Sequence, residues 1–597
     1  MARSDTIGGM FFENTKRFGK GRVCQLERYK EGWHEHTWAD VNTFVREIAK
    51  GFIELGVGEG DRVAIMAETC PQWSWIDVAT ASIRGVIVTI YPTSTAAQMA
   101  YILRDSGATV LVASGPAELT KFQEVADSLP QIKHVVVFDT NVDSRGETIH
   151  TLDELRARGR PGDHDETLEA RLDAVEPDDL LTLIYTAGTT GDPKGVMLTH
   201  GNLMSNVNAT LQLIPLKDDD VALSFLPLSH TLERMAHYTF LRRPIPIAYA
   251  EDISRLVQNM QEIRPTLMVA VPRIYEKIYT RILDSIESGS RFRKDTFEWA
   301  LNIGRQVSAL KLNGRPNPLV LHMQYKIAKK MVFDKLAERM GGRLRFFMSG
   351  GAPLAKELAE FFHAVGILIC EGYGLTETSP VITTNTPEVL RFGTVGKPIP
   401  GAEVRIADDG EILTRGPHVM RGYYNSPEAT RVVLDDDGWL RTGDIGEFDA
   451  DGFLKITDRK KDIIVTASGK NVAPQNIENL LKMENYIEQS CVLGDNRSFL
   501  VALLVPSFAA LEEWAVEAGL PHDDRQTLVA LPETQALFQK AVDHVNGQLA
   551  RHEAIEKFAL LSEEFSVDND MLTPTMEIKR KEVMRKNEKL IASLYAK

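Results

Sequence analysis

Hydrophobic and polar positions change period repeatedly along the first third of the chain. Residues 62–66 (Arg-Val-Ala-Ile-Met) form a short apolar run of strand length, and residues 72–84 set Trp73, Ile76, Val78 and Ala79 at helical spacing. Gly85 stops that helix, and the β-branched run 86–90 predicts a second strand. Tyr91-Pro92-Thr93-Ser94 reads as a turn with capping hydroxyls, residues 97–105 as a helix ended at Gly107, and residues 109–113 as a third strand. Strands alternating with helices predict a parallel sheet flanked by helices, and the pattern returns at 344–348, 355–365 and 367–370. From about Gly393 the segments shorten. Asp408-Asp409-Gly410, Asp437-Gly438 and Asp451-Gly452 are hairpin turn signals, so residues 393–457 read as a small β-rich subdomain. Past Asp458-Arg459-Lys460-Lys461-Asp462 come a strand, a helix opened by Pro474, two strands and amphipathic helices. The expected class is α/β: a large domain of mixed and parallel flanked sheets over residues 1–457, then a small α+β domain over 458–597.

Size and charge narrow the function. A chain of 597 residues exceeds what one core serves. The net charge of −15 provides no overall positive field to gather nucleic-acid phosphates, so a general nucleic-acid binder is not expected. Cys24, Cys70, Cys370 and Cys491 lie far apart, with neither metal-ligand nor disulfide spacing, which fits reduced intracellular thiols. The first 22 residues carry charges but no apolar core for a signal peptide. The longest apolar runs, such as 500–505, fall far short of the ~18 residues of a membrane helix. The expected location is cytoplasmic, with transient peripheral membrane contact and oligomeric state left open.

The most informative stretch is the apolar run 180–185 emptying into Thr186-Ala187-Gly188-Thr189-Thr190-Gly191-Asp192-Pro193-Lys194-Gly195. Glycines let backbone N–H groups turn inward and approach a ligand closely, the threonine hydroxyls add donors, and Lys194 adds a point charge. That build suits a nucleotide triphosphate. It is not a Walker loop, because Pro193 precedes the lysine and Gly195 follows it.

A second cluster is Glu371-Gly372-Tyr373-Gly374-Leu375-Thr376-Glu377-Thr378, at the end of a strand, where open α/β sheets hold ligands. Tyr373 can stack on a base, Thr376 can donate to a phosphate oxygen, and Glu377 is a hard oxygen ligand suited to Mg²⁺. Asp444, in Gly438-Trp439-Leu440-Arg441-Thr442-Gly443-Asp444, can accept from both hydroxyls of a ribose.

These stretches, in order, resemble the adenylate-forming superfamily of acyl-CoA synthetases, luciferases and peptide-synthetase adenylation domains. The resemblance covers essentially residues 10 to 590. It implies that Met348-Ser349-Gly350-Gly351-Ala352-Pro353 packs on adenine, that Arg459 also reaches the nucleotide, and that a mobile small domain turns about Asp458. His230, in Leu226-Pro227-Leu228-Ser229-His230-Thr231-Leu232-Glu233-Arg234, would lie beside the acyl carboxylate and the path of the incoming thiol. That form, with Val271-Pro272-Arg273-Ile274-Tyr275, is similar to long-chain fatty acyl-CoA synthetases in particular. Ser468-Gly469-Lys470 would line a pantetheine tunnel. The implied co-substrates are ATP and coenzyme A with Mg²⁺, and the implied substrate is a long-chain fatty acid. A medium-chain or aromatic acid, or transfer to a carrier protein, stays open.

Two positions depart from the family pattern. Ala187 removes one hydroxyl from the phosphate loop. In Leu572-Thr573-Pro574-Thr575-Met576-Glu577-Ile578-Lys579-Arg580, aligning Arg580 with the family's arginine puts Glu577 where the family carries its adenylation lysine. Lys579 or Lys581 would substitute through a small loop shift, with Lys579 the expected one. The alternative is a nucleotide- or acyl-binding sensor in which Glu577 disables adenylation.

Overall fold

A computed structural model describes residues 3–19, 21–139, 148–160, 162–186, 192–467 and 470–596. The predicted alternation builds two large sheets. In the eight-stranded one, the strand Leu180–Thr186 runs parallel to Val86–Ile90, followed outward by Arg62–Met66, Val110–Ala113, His134–Val137 and Ile149–Thr151. On its other side Lys194–Thr199 returns antiparallel, with Gly422–Tyr423 beyond it. In the nine-stranded sheet, Ala222–Ser224, Leu267–Ala270, Phe346–Ser349 and Ile369–Gly374 run parallel in that spatial order. The helices expected over 72–84 and 97–105 are Pro71–Ser82 and Ala96–Ser106, the second opened by a Thr95–Gln98 capping box and closed at Gly107 with φ +64°.

One boundary differs from expectation. The strand expected over 367–370 begins at Ile369 and continues to Gly374, so Gly372-Tyr373-Gly374 is strand rather than loop. It is held there by antiparallel pairing with Val381–Thr384. A Cβ at Gly374 would lie 1.7 Å from the Pro380 carbonyl oxygen, so this approach requires glycine.

Helices of both sheets meet in one core joining Phe11, Trp38, Trp73, Val112, Leu198 and Tyr238. Inside it lies a charge. Arg234, on the helix Thr231–Arg242, is fully buried and donates to Asp77 on Pro71–Ser82 at 2.5 and 3.2 Å, to Tyr238 at 2.8 Å and to Thr182 at 2.7 Å. Thr182 belongs to the strand that leads into the Thr/Gly loop. A buried ion pair is tolerated when its hydrogen bonds are satisfied, as here. Arg234 therefore fastens the helix headed by His230 to the strand that leads into the Thr/Gly loop.

The β-rich segment forms a four-stranded sheet in the order Glu403–Ile406, Glu411–Arg415, Leu440–Phe448, Leu454–Arg459. The C-terminal region has its own sheet of Ile487–Leu493, Leu500–Pro506 and Ile555–Leu560. The apolar run Leu500–Pro506 is its central strand, and two separate hydrophobic clusters cover its faces. No helix among the described residues is long and apolar enough to cross a membrane.

Removing one partner of the buried pair leaves an uncompensated charge, so Asp77→Ala should cost about 3–5 kcal/mol of large-domain stability, read as a fall in its urea or thermal midpoint. The double variant Asp77→Ala/Arg234→Met should recover much of that loss.

Candidate functional site

One cavity of about 400 Å³ lies between the two large sheets, the β-rich sheet and the C-terminal region. Its walls collect most of the sequence candidates. Thr186 closes the strand Leu180–Thr186 and Lys194 opens the return strand directly opposite it, so both stand at the mouth of the Thr/Gly loop and both line the cavity. Gly188, Thr189, Thr190 and Gly191 lie outside the described residues. Lys194 Nζ stands 5.2 Å from the centre of the Tyr423 ring, whose hydroxyl donates to Glu377 at 2.8 Å. Tyr423, on the antiparallel edge strand Gly422–Tyr423, escaped the sequence reading: nothing in Arg421-Gly422-Tyr423-Tyr424 singles it out. Burial and the Glu377 carboxylate hold its phenol well above the usual range, so it stays a donor.

Gly350, Gly351, Gly372, Gly374 and Thr376 reach the cavity wall. Ala352 and Pro353 do not: the chain turns at Gly351, φ +81°, and carries both outward to exposed positions. The loop is held from below by Glu371, which accepts from the Leu354 N–H at 3.0 Å and whose carboxyl burial pushes up to about 8.

Tyr373 is directed by a neighbour. Its hydroxyl donates to Asp444 Oδ2 at 2.6 Å, and Arg459 Nε stands 3.5 Å from Asp444 Oδ1. Burial raises the Asp444 carboxyl while the Arg459 charge opposes the rise. The other arm of Arg459 meets Glu577 Oε1 at 3.3 Å. Arg459 is thus shared between a carboxylate of the β-rich sheet and one of the C-terminal hairpin, and Glu577 is the main cause of its raised pKa.

The C-terminal hairpin decides which residue Glu577 displaces. Arg580 is anchored in the C-terminal core by Glu478 at 2.7 and 3.2 Å and by the Val492 carbonyl at 2.7 Å. Leu572 pairs with Ile578, and Met576 takes φ +67°, so the hairpin tip presents Pro574, Thr575 and Glu577 to the cavity. The expectation for Lys579 is corrected here: its ammonium is tied to Asp570 at 2.5 Å, and it does not line the cavity. The helix that starts at Arg580 fixes this by pinning the backbone one residue later. Lys470 is also exposed and off the cavity wall, while Ser468 and Gly469 lie outside the described residues.

His230 caps the helix Thr231–Arg242. Its Nδ1 accepts from the Leu232 N–H at 3.1 Å, which leaves the ring proton on Nε2. Burial lowers its pKa, with the Glu577 charge in opposition, so it stands as a neutral donor. Below it the cavity turns apolar, lined by Ile214, Leu216, Met235, Phe240 and Phe346.

Residues 11–424 match the family model described as AMP-binding enzyme, and residues 461–597 match the AMP-binding enzyme C-terminal domain. The chain is 37% identical to the long-chain-fatty-acid–CoA ligase FadD15 of Mycobacterium bovis, over 99% of this chain and 97% of that protein. It is 32% identical to the peroxisomal long chain acyl-CoA synthetase 7 of Arabidopsis thaliana, over 94% and 82%. Among solved structures, the adenylation domain of a carboxylate reductase from Mycobacterium chelonae superposes with a TM-score of 0.75 at 23% identity, covering 99% of this chain and 91% of that one, which is a likeness of fold.

Glu233 sits one turn past His230 and gives a pH test of this wall. It accepts from Ser224 at 2.5 Å, its other oxygen has no partner, and burial pushes it up to about 8 from 4.5. The folded state therefore holds a proton that the unfolded chain releases, and stability falls as pH rises from about 4.5 to about 8. Glu233→Gln should match the native chain near pH 4 and gain thermal stability over it progressively through that window.

Proposed function

We propose that this chain, which belongs to the AMP-binding enzyme family, ligates a long-chain fatty acid to coenzyme A through an acyl-AMP intermediate, releasing AMP and pyrophosphate. The observation that carries this is the continuity of one cavity from the Thr186–Lys194 mouth, past Asp444 and His230, into the apolar arm at Ile214 and Phe240. Long-chain preference is supported by that arm and by the names of the relatives. Each buried methylene contributes about 0.8 kcal/mol, so an apolar arm favours longer chains.

In this reading Asp444 accepts from the ribose hydroxyls, with Tyr373 and Arg459 fixing the carboxylate. Gly350, Gly351, Gly372 and Gly374 admit the base close to backbone. The triphosphate lies along Lys194 and Thr376. Mg²⁺ takes few protein carboxylates and several phosphate and water oxygens, and Glu377, held by one hydrogen bond, fits that role; bound there it would supply charge neutralisation at the phosphates. The fatty carboxylate attacks the α-phosphorus, a new P–O bond forms, and pyrophosphate leaves. Neutral His230 donates its Nε2 proton in a hydrogen bond to the acyl oxygen. The coenzyme A thiol then attacks the acyl carbon, the C–S bond forms as the C–O bond to AMP breaks, and AMP departs while the thiol proton passes to solvent. Closure of the cavity by the hairpin tip keeps water from the anhydride.

Two anionic reactants must meet, so the cations decide the rate. Among the described residues lining the cavity these are Lys194, Arg459 and Lys461, and Glu577 draws on Arg459. The large domain over 1–457 and the small one over 458–597 would turn about Asp458, whose carboxyl burial raises to about 7. Such a turn would bring Lys470 to the thiol path. The Glu577–Arg459 pair also favours a second reading, in which the chain binds ATP and acyl ligand without turnover.

Palmitate-dependent exchange of labelled pyrophosphate into ATP separates the two. The ligase reading expects exchange by the native chain, about tenfold faster exchange in Glu577→Lys, and little change in Lys579→Ala, a tenfold change being 1.36 kcal/mol at the transition state. Exchange absent from the native chain and appearing in Glu577→Lys would establish the binding reading. Exchange absent from both would remove the ligase reading.

A further inference from the structure

The helix Leu319–Ala328 turns its apolar side chains to solvent. Leu319, Val320, Met323 and Ile327 are 85, 70, 66 and 52% exposed, and Met331 continues the row. At 100° per residue these positions fall within an arc of about 120°, one stripe along the outer face. The inner face is accounted for separately: Leu321 and Ala328 are buried in the cluster that also holds Phe297 and Ala300 of the neighbouring helix Arg291–Leu312. The stripe is therefore surplus to the core. A periodic apolar pattern at Ile327 looks the same in sequence whether it faces core or solvent.

The charges beside the stripe are one-sided. From residue 311 to residue 333 the chain carries Lys311, Arg315, Lys326, Lys329 and Lys330 and no acidic residue, in a protein of net charge −15. Lys326 and Lys330 are exposed and follow Met323 and Ile327 by three residues each, so both stand toward one side of the stripe. Lys329 pairs with Asp334.

We propose that the outer face of residues 319–331 is a docking surface for an anionic lipid bilayer. Such a helix lies in the plane of the interface: apolar side chains enter the acyl boundary while lysines of its edge reach headgroup phosphates. Contiguous apolar patches of this kind mark interaction sites. The positive edge favours an anionic lipid surface over a second copy of this acidic chain. The inference does not rest on the ligase reading, and it is tested without nucleotide or substrate.

The test is co-sedimentation of the full chain with vesicles of phosphatidylglycerol and phosphatidylcholine, against phosphatidylcholine alone, with size-exclusion chromatography alongside. The native chain should sediment with the anionic vesicles and be released by high salt. Met323→Ser/Ile327→Ser and Lys326→Glu/Lys330→Glu should each lower the partition coefficient about tenfold or more, with unchanged thermal midpoints. No sedimentation of the native chain, or sedimentation of the variants equal to that of the native chain, would overturn the proposal. So would variants that only dissociate a dimer.

Discussion

A single buried guanidinium sets the frame on which the cavity depends. Arg234 reaches Asp77 on one helix, Tyr238 on its own and Thr182 on the strand that leads into the Thr/Gly loop, all inside a core shared by both large sheets. The helix that carries it begins at His230, so the same contact fixes where that imidazole stands relative to Thr186 and Lys194. Rigid placement of this kind is what orients reactants without a cost at the moment of reaction.

Within that frame the cavity is a contest of charges. Asp444, Glu377 and Glu577 line it together with Lys194, Arg459 and Lys461. Arg459 links the large-domain carboxylate to the C-terminal hairpin, so the closed arrangement owes part of its hold to an ion pair within the site. Thr93 donating to the Pro574 carbonyl and Arg273 pairing with Glu488 add contacts away from the chemistry. In the proposed reading, a triphosphate entering beside Arg459 would compete with Glu577 for the same guanidinium, which would couple nucleotide binding to the position of the hairpin.

Much of this was legible in the chain. Alternating periods foretold the parallel sheets. The contact that requires glycine at 374 was not read from the sequence, because it arises from pairing with the strand Val381–Thr384. Long-range pairing was harder to read. Tyr423 reaches Glu377 only because an edge strand more than forty residues away in sequence joins the sheet beside Lys194. Lys579 looked like the cation of the site by its neighbourhood in sequence. The anchoring of Arg580 on Glu478, a contact between distant segments, turns Glu577 inward instead. Ala352 and Pro353 failed for a local reason, the left-handed turn at Gly351 that carries them outward. Exposure of Ile327 was invisible, since amphipathic spacing does not say which face is covered.

The most direct measurement is mass spectrometry of the products formed by the purified chain from palmitate and MgATP, with and without coenzyme A. The account predicts palmitoyl-AMP without coenzyme A, and palmitoyl-CoA with AMP when it is present. Absence of both products, with ATP recovered intact in each arm, would contradict it.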